Sequence, residues 1–393
     1  MEMTRPHPLL AKHLLDAGLE WSSVLNISQW RACFDQNEPP AEIAEDIKFL
    51  KSWLSQGHNA GMQFLSNNLQ ARENTNYLLP NVASALSLII PYATGERTRG
   101  QTSSQDTTQS HPQFKENNLL HKTARYARVV DYHKAIRKQL ESILQLWESD
   151  AKKAGLIGEG TNWRIVTDAL PFLDRAHARI GGLGFIGKNT MLIRPGIGSY
   201  FFICHVLLTT PFETIADPAG QKPLASGAIS ELSCGDCTRC LDACPTQALV
   251  APRHLDANKC LSYLSIEHRD VVPERYLRYF SERFYGCDIC QEVCPYNFKT
   301  SSLTTIKSFR KNIDALIQIT ATEVATMTQA QYEDWFGGTA MTRAKYAGLV
   351  RNALYSLYAE KSSQLRSICE SRANDPNPLV KRTVEQLLNL SNE

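Results

Sequence analysis

Eight of the 11 cysteines lie between Cys234 and Cys294, and their spacing is the part of this chain most able to do chemistry. Cys234, Cys237, Cys240 and Cys244-Pro245 form one run, and Cys287, Cys290 and Cys294-Pro295 form a shorter second one. Two-residue gaps let successive thiolates converge on one four-iron cube, while the fourth ligand must arrive from elsewhere, because one loop cannot surround a cube. In two-cluster arrays the cysteine before proline serves the other cluster. That rule groups Cys234, Cys237, Cys240 and Cys294 around a first 4Fe-4S cluster, and Cys244, Cys287 and Cys290 around a second. The second set lacks a ligand, and Cys260, which lies between the runs, is assigned to complete it. Paired Cys-x2-Cys motifs also build zinc knuckles, but three closely spaced cysteines followed by Cys-Pro favour iron-sulfur. Cys33, Cys204 and Cys369 stand alone and read as packed thiols.

Two other segments invite a chemical reading. Gly182-Leu-Gly184-Phe-Ile-Gly187 has the Gly-x-Gly-x-x-Gly form of a dinucleotide turn, with Lys188 after it. A dinucleotide turn leaves a strand and opens a helix, whereas this one leaves a helix and enters an apolar run, Thr190 to Ile193, so nucleotide binding is not expected. Asp131 sits at the N-cap position of a long amphipathic pattern running through Ile136, Leu140, Ile143 and Leu146. Taken alone, Asp131 reads as a cap and His133 beside it as a surface residue.

The elements that must position these residues follow from periodicity. Ala41 to Ser55 reads as a helix stopped at Gly57, Ala83 to Pro91 as a buried strand, and Trp163 to Val166 and Tyr200 to Leu208 as further strands. A helix is expected around Phe172 to Arg179. Gly100 to Gln113 is polar and reads as a surface loop, and Pro211 to Glu231 as a linker. Beyond Ser301 the pattern is helical, with candidate helices at Tyr346 to Tyr358, Gln364 to Arg372 and Leu379 to Leu390, broken by Asp375-Pro-Asn-Pro378. The expected class is therefore α+β, in three parts: 1–225, an α/β or α+β module; 226–300, a ferredoxin-like domain with two clusters; and 301–393, a helical HEAT-like tail.

With 393 residues, 43% of them apolar and 21% charged, the chain has the composition of an ordinary globular protein of more than one unit. No apolar run reaches the roughly 18 residues of a membrane span. Met1 to Leu15 interrupts its apolar residues with Arg5, Lys12 and His13, unlike a secretory leader, so a cytoplasmic location with reduced thiols is expected. A net charge of +2 does not by itself point to nucleic acid. Residues 121–200, however, carry 13 Lys and Arg against 7 Asp and Glu.

Arg125-Tyr-Ala127 with Asp131-Tyr-His133, the turn Gly184-Phe-Ile-Gly-Lys-Asn-Thr190, Gly198-Ser199, Cys260-Leu-Ser-Tyr-Leu264 and the split cysteine array together resemble the epoxyqueuosine reductases. The likeness runs from about Gln56-Gly-His58 through Cys294-Pro295 and reaches Ala340 to Asn352. Phe185 and Tyr296 stand where relatives usually carry tryptophan. The resemblance implies a cobalamin enzyme with two 4Fe-4S clusters that reduces the epoxide of epoxyqueuosine at the tRNA wobble position, the last step of queuosine synthesis. It further implies an N-terminal module like that of nitroreductases and reductive dehalogenases, with cobalamin lying base-off between that module and the cluster domain. Asp131 would then be the proton donor, and Arg72, Asp168, Leu192 and Ile203 would surround the cofactor along with it. Implied partners are tRNA carrying epoxyqueuosine and an external low-potential electron donor, with the protein acting as a monomer. Arg343, Lys345 and Arg351 are where phosphate contacts are expected, and Arg175 is expected near the substrate mouth. Two other functions share these parts: a cobalamin-dependent reductase of a small molecule, such as a dehalogenase, and an iron-sulfur electron-transfer subunit.

Overall fold

A computed structural model describes residues 4–20, 22–36, 38–92, 118–217, 233–298, 306, 309, 316 and 318–391. The expected polar loop at 100–113, most of the linker and the proposed boundaries at 225/226 and 300/301 lie outside these residues. The N-terminal unit is built on strands β1 (Ser22–Asn26), β2 (Ser84–Pro91), β3 (Trp163–Val166) and β6 (Phe201–Leu208), with the two-residue strands β4 (Phe185–Ile186) and β5 (Leu192–Ile193) forming a separate hairpin. The four long strands are ordered β1-β2-β6-β3 and every pair is antiparallel. Between the two classes left open by the sequence, the antiparallel sheet selects α+β for this module.

Both central strands are buried on both faces, which is why β2 reads as a continuous apolar run without alternation. One face carries Leu86, Leu88, Phe202, Cys204 and Val206 against the helices Pro8–Asp16 and Tyr132–Lys153. The other carries Ala85, Val166 and Leu207 against the helices Ala41–Ser55 and Asp174–Ile180. Helix Tyr132–Lys153 turns Ile136, Leu140, Ile143, Leu144 and Trp147 inward. Leu146, expected on that face, is 56% exposed, because the 3.6-residue period carries the stripe through Leu144 and Trp147 instead.

β3 is shorter than β6. It pairs with Leu208 back to His205 and stops at Val166, so residues 201–204 of β6 have a partner strand only on the β2 side among the described residues. Asp168 lies two residues past the end of β3, at this half-open edge.

Residues 233–298 hold two short helices, Arg239–Asp242 and Ile289–Glu292, each containing the second cysteine of a Cys-x2-Cys pair (Cys240 and Cys290), and a small hairpin of β7 (Leu249–Ala251) and β8 (His254–Leu255). The stretch between the cysteine runs shares one apolar core with the C-terminal helices: Leu264, Tyr276, Phe280 and Phe284 pack with Val350, Leu354 and Val384. Helix Lys345–Ala359 is buried without a break from Ala347 to Leu357, so it forms the centre of this unit. No helix among the described residues is long and apolar enough to cross a membrane.

Candidate functional site

Asp131 caps helix Tyr132–Lys153, its Oδ1 accepting from the His133 amide at 3.1 Å. Its own amide donates to the Gly338 carbonyl at 2.9 Å, tying the cap to the C-terminal unit. The cap is only part of its surroundings. His133 Nδ1 lies 3.1 Å from Asp131 Oδ1, and His133 Nε2 lies 2.7 Å from Asp168 Oδ1. Tyr132 donates its hydroxyl to Asp168 Oδ2 at 2.5 Å, and its ring stacks on Phe202 and on His133, both at 4.0 Å. Thus the structure brings Asp131 and Asp168 together through His133, a residue the sequence reading sets aside.

The electrostatics follow from that geometry. Burial works against a charged His133 ring, but hydrogen bonds and charge from Asp168 and then Asp131 outweigh it and raise its pKa. Burial likewise works against the Asp168 carboxylate, yet His133 and the Tyr132 hydroxyl hold its pKa below the usual value. Asp168 is surrounded by protein mass while its side chain is still 57% exposed, the situation of a group on the wall of an open cleft. Arg175 is similar: exposed to water, enclosed on most sides, and donating to the Thr190 carbonyl.

The remaining cofactor candidates fall nearby in two groups. Leu192 is buried and Ile203 half-buried in one apolar cluster with Ile89, Ala178 and Phe201, at the half-open part of β6. Arg72 is buried and donates to the Phe172 carbonyl at 3.2 Å, while its Nε is buried with no hydrogen-bond partner. Asp174 stands near enough to act on Arg72, and burial, then the charge of Asp168, pushes Asp174 up to about 7. A half-open strand edge, an orphaned guanidinium donor and an enclosed but wet carboxylate are groups that fit a large polar cofactor. A cavity of about 570 Å³ lies elsewhere, at the start of β3, lined by Leu79, Asn81, Asn162, Trp163 and Arg164, and includes none of these residues.

The eight thiols separate into two neighbourhoods. Burial, then Cys234, Cys240 and Cys237, pushes Cys294 up to about 11. Burial, then the charge of Cys260, raises Cys287 to about 12, and Cys260 in turn feels Cys244. Cys290 feels Cys287 and Cys260 most and Cys240 less, so the two groups adjoin. Main-chain amides point at the sulfurs: Lys188 to Cys234 Sγ at 3.4 Å and Ala248 to Cys244 Sγ at 3.2 Å. Such donors stabilise the negative charge of cluster-bound thiolates. Among the described residues no group of three or more Cys, His, Asp or Glu side chains is arranged around a single metal ion.

The glycine-rich turn proves to be a docking element. Lys188 Nζ donates to the Gly235 carbonyl at 2.7 Å, and the Arg253 amide donates to the Lys188 carbonyl at 2.9 Å. Phe185 and Ile193 pack on Cys294, with Cys234 and Tyr296 beside them. Its glycines serve close approach: a Cβ on Gly184 would lie 2.4 Å from the Ile193 carbonyl oxygen, and one on Gly187 2.4 Å from Ile193 Cδ1. No room remains for a phosphate-binding reading.

Comparison with known proteins agrees with this layout. A family model described as a 4Fe-4S double cluster binding domain matches residues 233–297, and one described as Epoxyqueuosine reductase QueG, DUF1730 matches residues 72–169. An epoxyqueuosine reductase from Xanthomonas campestris pv. campestris is 32% identical over 344 residues, covering 87% of this chain and 88% of that protein. The chain belongs to the epoxyqueuosine reductase family. The family member from Pseudomonas aeruginosa is 31% identical, covering 88% of each chain. Among solved structures, an epoxyqueuosine reductase with an epoxyqueuosine-modified tRNA-Tyr stem loop superposes with a TM-score of 0.74 at 22% identity, covering 96% of this chain and 88% of that one. The enzyme from Bacillus subtilis, with its aspartate-bearing catalytic loop swung out of the active site, gives the same TM-score, identity and coverage.

For an epoxyqueuosine reductase, the basic residues of the C-terminal unit divide sharply. Arg343 and Lys345 are exposed; Arg343 Nε pairs with Glu267 at 2.6 Å and its guanidinium lies 5.0 Å over the exposed Phe64 ring. Its charge helps to lower the pKa of Asp168. Arg351, expected to contact phosphate, is instead fully buried and donates to the carbonyls of Leu264, His268 and Asp270 at 2.7, 2.6 and 2.9 Å. Its donors are consumed by main chain that helix Lys345–Ala359 covers, so it has none to offer RNA.

Proposed function

We propose that this protein reduces the epoxide of epoxyqueuosine, carried at the wobble position of tRNA, to the alkene of queuosine. The observation that carries the reading is the position of Asp131: a carboxylate where the antiparallel sheet, the cluster domain and the C-terminal helices meet. Its amide is held by Gly338, and the segment leading to it is held by Asp288, whose Oδ2 accepts from the Arg125 amide at 2.7 Å. In this reading the chain is organised as a cofactor-binding catalytic module to residue 225, a two-cluster domain to residue 300 and a helical C-terminal unit, and it works as a cytoplasmic monomer fed by an external low-potential donor.

Cys234, Cys237, Cys240 and Cys294 would hold one 4Fe-4S cluster, and Cys244, Cys260, Cys287 and Cys290 the other. Cobalamin would be held by Arg72, Asp131, Asp168, Leu192 and Ile203, with half-buried Ile203 offering apolar surface at the half-open β6 edge and buried Leu192 backing it or contributing its main chain. When bound, it supplies electrons for cleavage of the carbon–oxygen bonds. Opening the epoxide develops negative charge on oxygen, and Asp131, poised to act as a general acid, donates the proton that quenches it. The aspartate-bearing catalytic loop of the Bacillus subtilis relative supports that role. Arg343 and Lys345 would meet the RNA backbone at the cleft mouth.

Nucleoside analysis of tRNA tests the reading directly. A strain lacking the gene should accumulate epoxyqueuosine and recover queuosine when the intact gene is restored. Unchanged queuosine in the deletion strain would return the chain to a small-molecule reductase or an electron-transfer subunit. Replacing Asp131 by Asn should preserve clusters, fold and cap, since Asn caps as well as Asp, while slowing turnover by roughly 10²-fold or more.

A further inference from the structure

Converting an epoxide to an alkene removes the oxygen as water: both carbon–oxygen bonds break, two electrons enter, and two protons are consumed. The bound redox groups account for the electrons. One carboxylic acid carries one proton. A second proton must therefore reach the same oxygen before the hydroxyl can leave, and the structure shows a side chain placed to supply it.

We infer that His133 refills Asp131 with the second proton, and that Asp168 positions the imidazole and holds its charge. The inference rests on the reading of Asp131 as the proton donor. His133 Nδ1 and Asp131 Oδ1 are 3.1 Å apart, so one proton can sit on either side of that contact. Nε2 points the other way, 2.7 Å from Asp168 Oδ1, which fixes the ring orientation. Asp168 is itself held by the Tyr132 hydroxyl, and the His133 side chain is 37% exposed, so solvent restores the Nδ1 proton between turnovers while Nε2 keeps its own on Asp168. Tyr132 stacks on His133 and prevents the ring from turning away. The other charged groups facing this network are Lys134, whose Nζ lies 4.0 Å from Asp131 Oδ2, Arg343, whose charge reaches Asp168, and Asp174, which feels the charge of Asp168.

The sequence of bond changes balances. The first C–O bond breaks and the oxygen takes the Asp131 proton to become a hydroxyl. His133 then passes its Nδ1 proton to the Asp131 carboxylate, and Asp131 donates again as the second C–O bond breaks, releasing alkene and water. Asp168 stays ionised throughout and acts only by position and charge. It is therefore a positioning residue.

The test uses the reconstituted protein with both clusters and cobalamin, reduced chemically and mixed with an epoxyqueuosine stem loop for a single turnover. His133→Gln keeps a hydrogen-bonding side chain at a half-exposed position but cannot carry a proton. We expect unchanged cluster and cobalamin spectra, unchanged stem-loop binding, a rate lower by roughly ten-fold or more, and partial recovery with added imidazole. Asp168→Asn should slow turnover less and shift the pH profile to lower pH. In the oxidised protein without cobalamin, the His133 ring resonances followed by NMR should titrate at lower pH in Asp168→Asn than in the native chain. A His133→Gln variant that turns over at the native rate, while Asp131→Asn is slow, overturns the relay and leaves the Asp131 reading intact. An Asp131→Asn variant at the native rate overturns both.

Discussion

Asn189 donates from Nδ2 to the main-chain carbonyl of Cys290 across 3.2 Å, joining the glycine-rich hairpin of the N-terminal module to the second cysteine run. Asn189 is buried, and its Oδ1 also accepts from the Met191 amide at 3.2 Å, so the same side chain shapes the turn and docks it. Replacing it by Ala should leave the Cys290 carbonyl unpaired in a buried place and cost about 1–3 kcal/mol. The expected outcome is normal iron content but a lower melting temperature and slower reduction of bound cobalamin. Calorimetry and stopped-flow absorbance measure the two.

The thiol neighbourhoods predict a selective loss. Native protein reconstituted without oxygen should hold about eight irons, and Cys260→Ala about four, with the Cys234 set keeping its charge-transfer absorbance. Iron analysis with absorbance spectroscopy checks both numbers. Stoichiometric zinc in place of iron would sink the assignment.

Two buried histidines make the N-terminal unit sensitive to acid. His177 is fully buried, stacks on Phe172 at 4.0 Å and has a buried Nε2 without a partner; burial lowers its pKa to about 4. His205, also fully buried and 2.8 Å from Ser87 Oγ, is lowered well below the ordinary histidine value. Each is neutral when folded. The unfolded chain therefore binds more protons below about pH 6.5, and stability falls as pH drops from there toward 4. For His177 alone the loss is on the order of 3 kcal/mol. Urea midpoints followed by tryptophan fluorescence should decline from pH 7 to 5 in the native chain and decline less in His177→Leu.

Much of this frame was legible in the residues, and the reasons for the failures are physical. Helix Ala41–Ser55 and strand Trp163–Val166 agree with their patterns to the residue, because each carries a clean period and clear end signals. The double-cluster array was readable because its cysteine spacing recurs within one short segment. The role of His133 was not: its second partner, Asp168, arrives from the far end of β3, and no local pattern joins residues that meet only through a sheet. Arg351 misled for the opposite reason. An arginine on a helix ordinarily faces water, but here the helix is the centre of its unit and the charge is spent on main-chain carbonyls.

That contrast gives the sharpest separation between structure and recognition. Arg351 Nη1 and Nη2 satisfy three main-chain carbonyls, and its Nε and Nη2 also donate to Asn352 Oδ1 at 3.2 and 3.0 Å. Lysine cannot reproduce a planar fork reaching three directions, so Arg351→Lys should destabilise the C-terminal unit by about 2–4 kcal/mol. Whatever protein remains folded should bind a tRNA stem loop normally. Arg343 is the converse case: its side chain is 52% exposed, it holds one surface ion pair to Glu267, and it covers an exposed Phe64 ring. Surface pairs contribute about 1 kcal/mol or less, so Arg343→Ala should melt close to the native temperature. If it contacts one phosphate, its loss should weaken stem-loop binding several-fold at low salt and reduce the slope of log K against log salt by about 1. Fluorescence anisotropy across a salt series, beside thermal melts of both variants, measures all four quantities. A stable Arg351→Lys protein with weakened RNA binding would reverse the assignment and place Arg351, not Arg343, at the RNA.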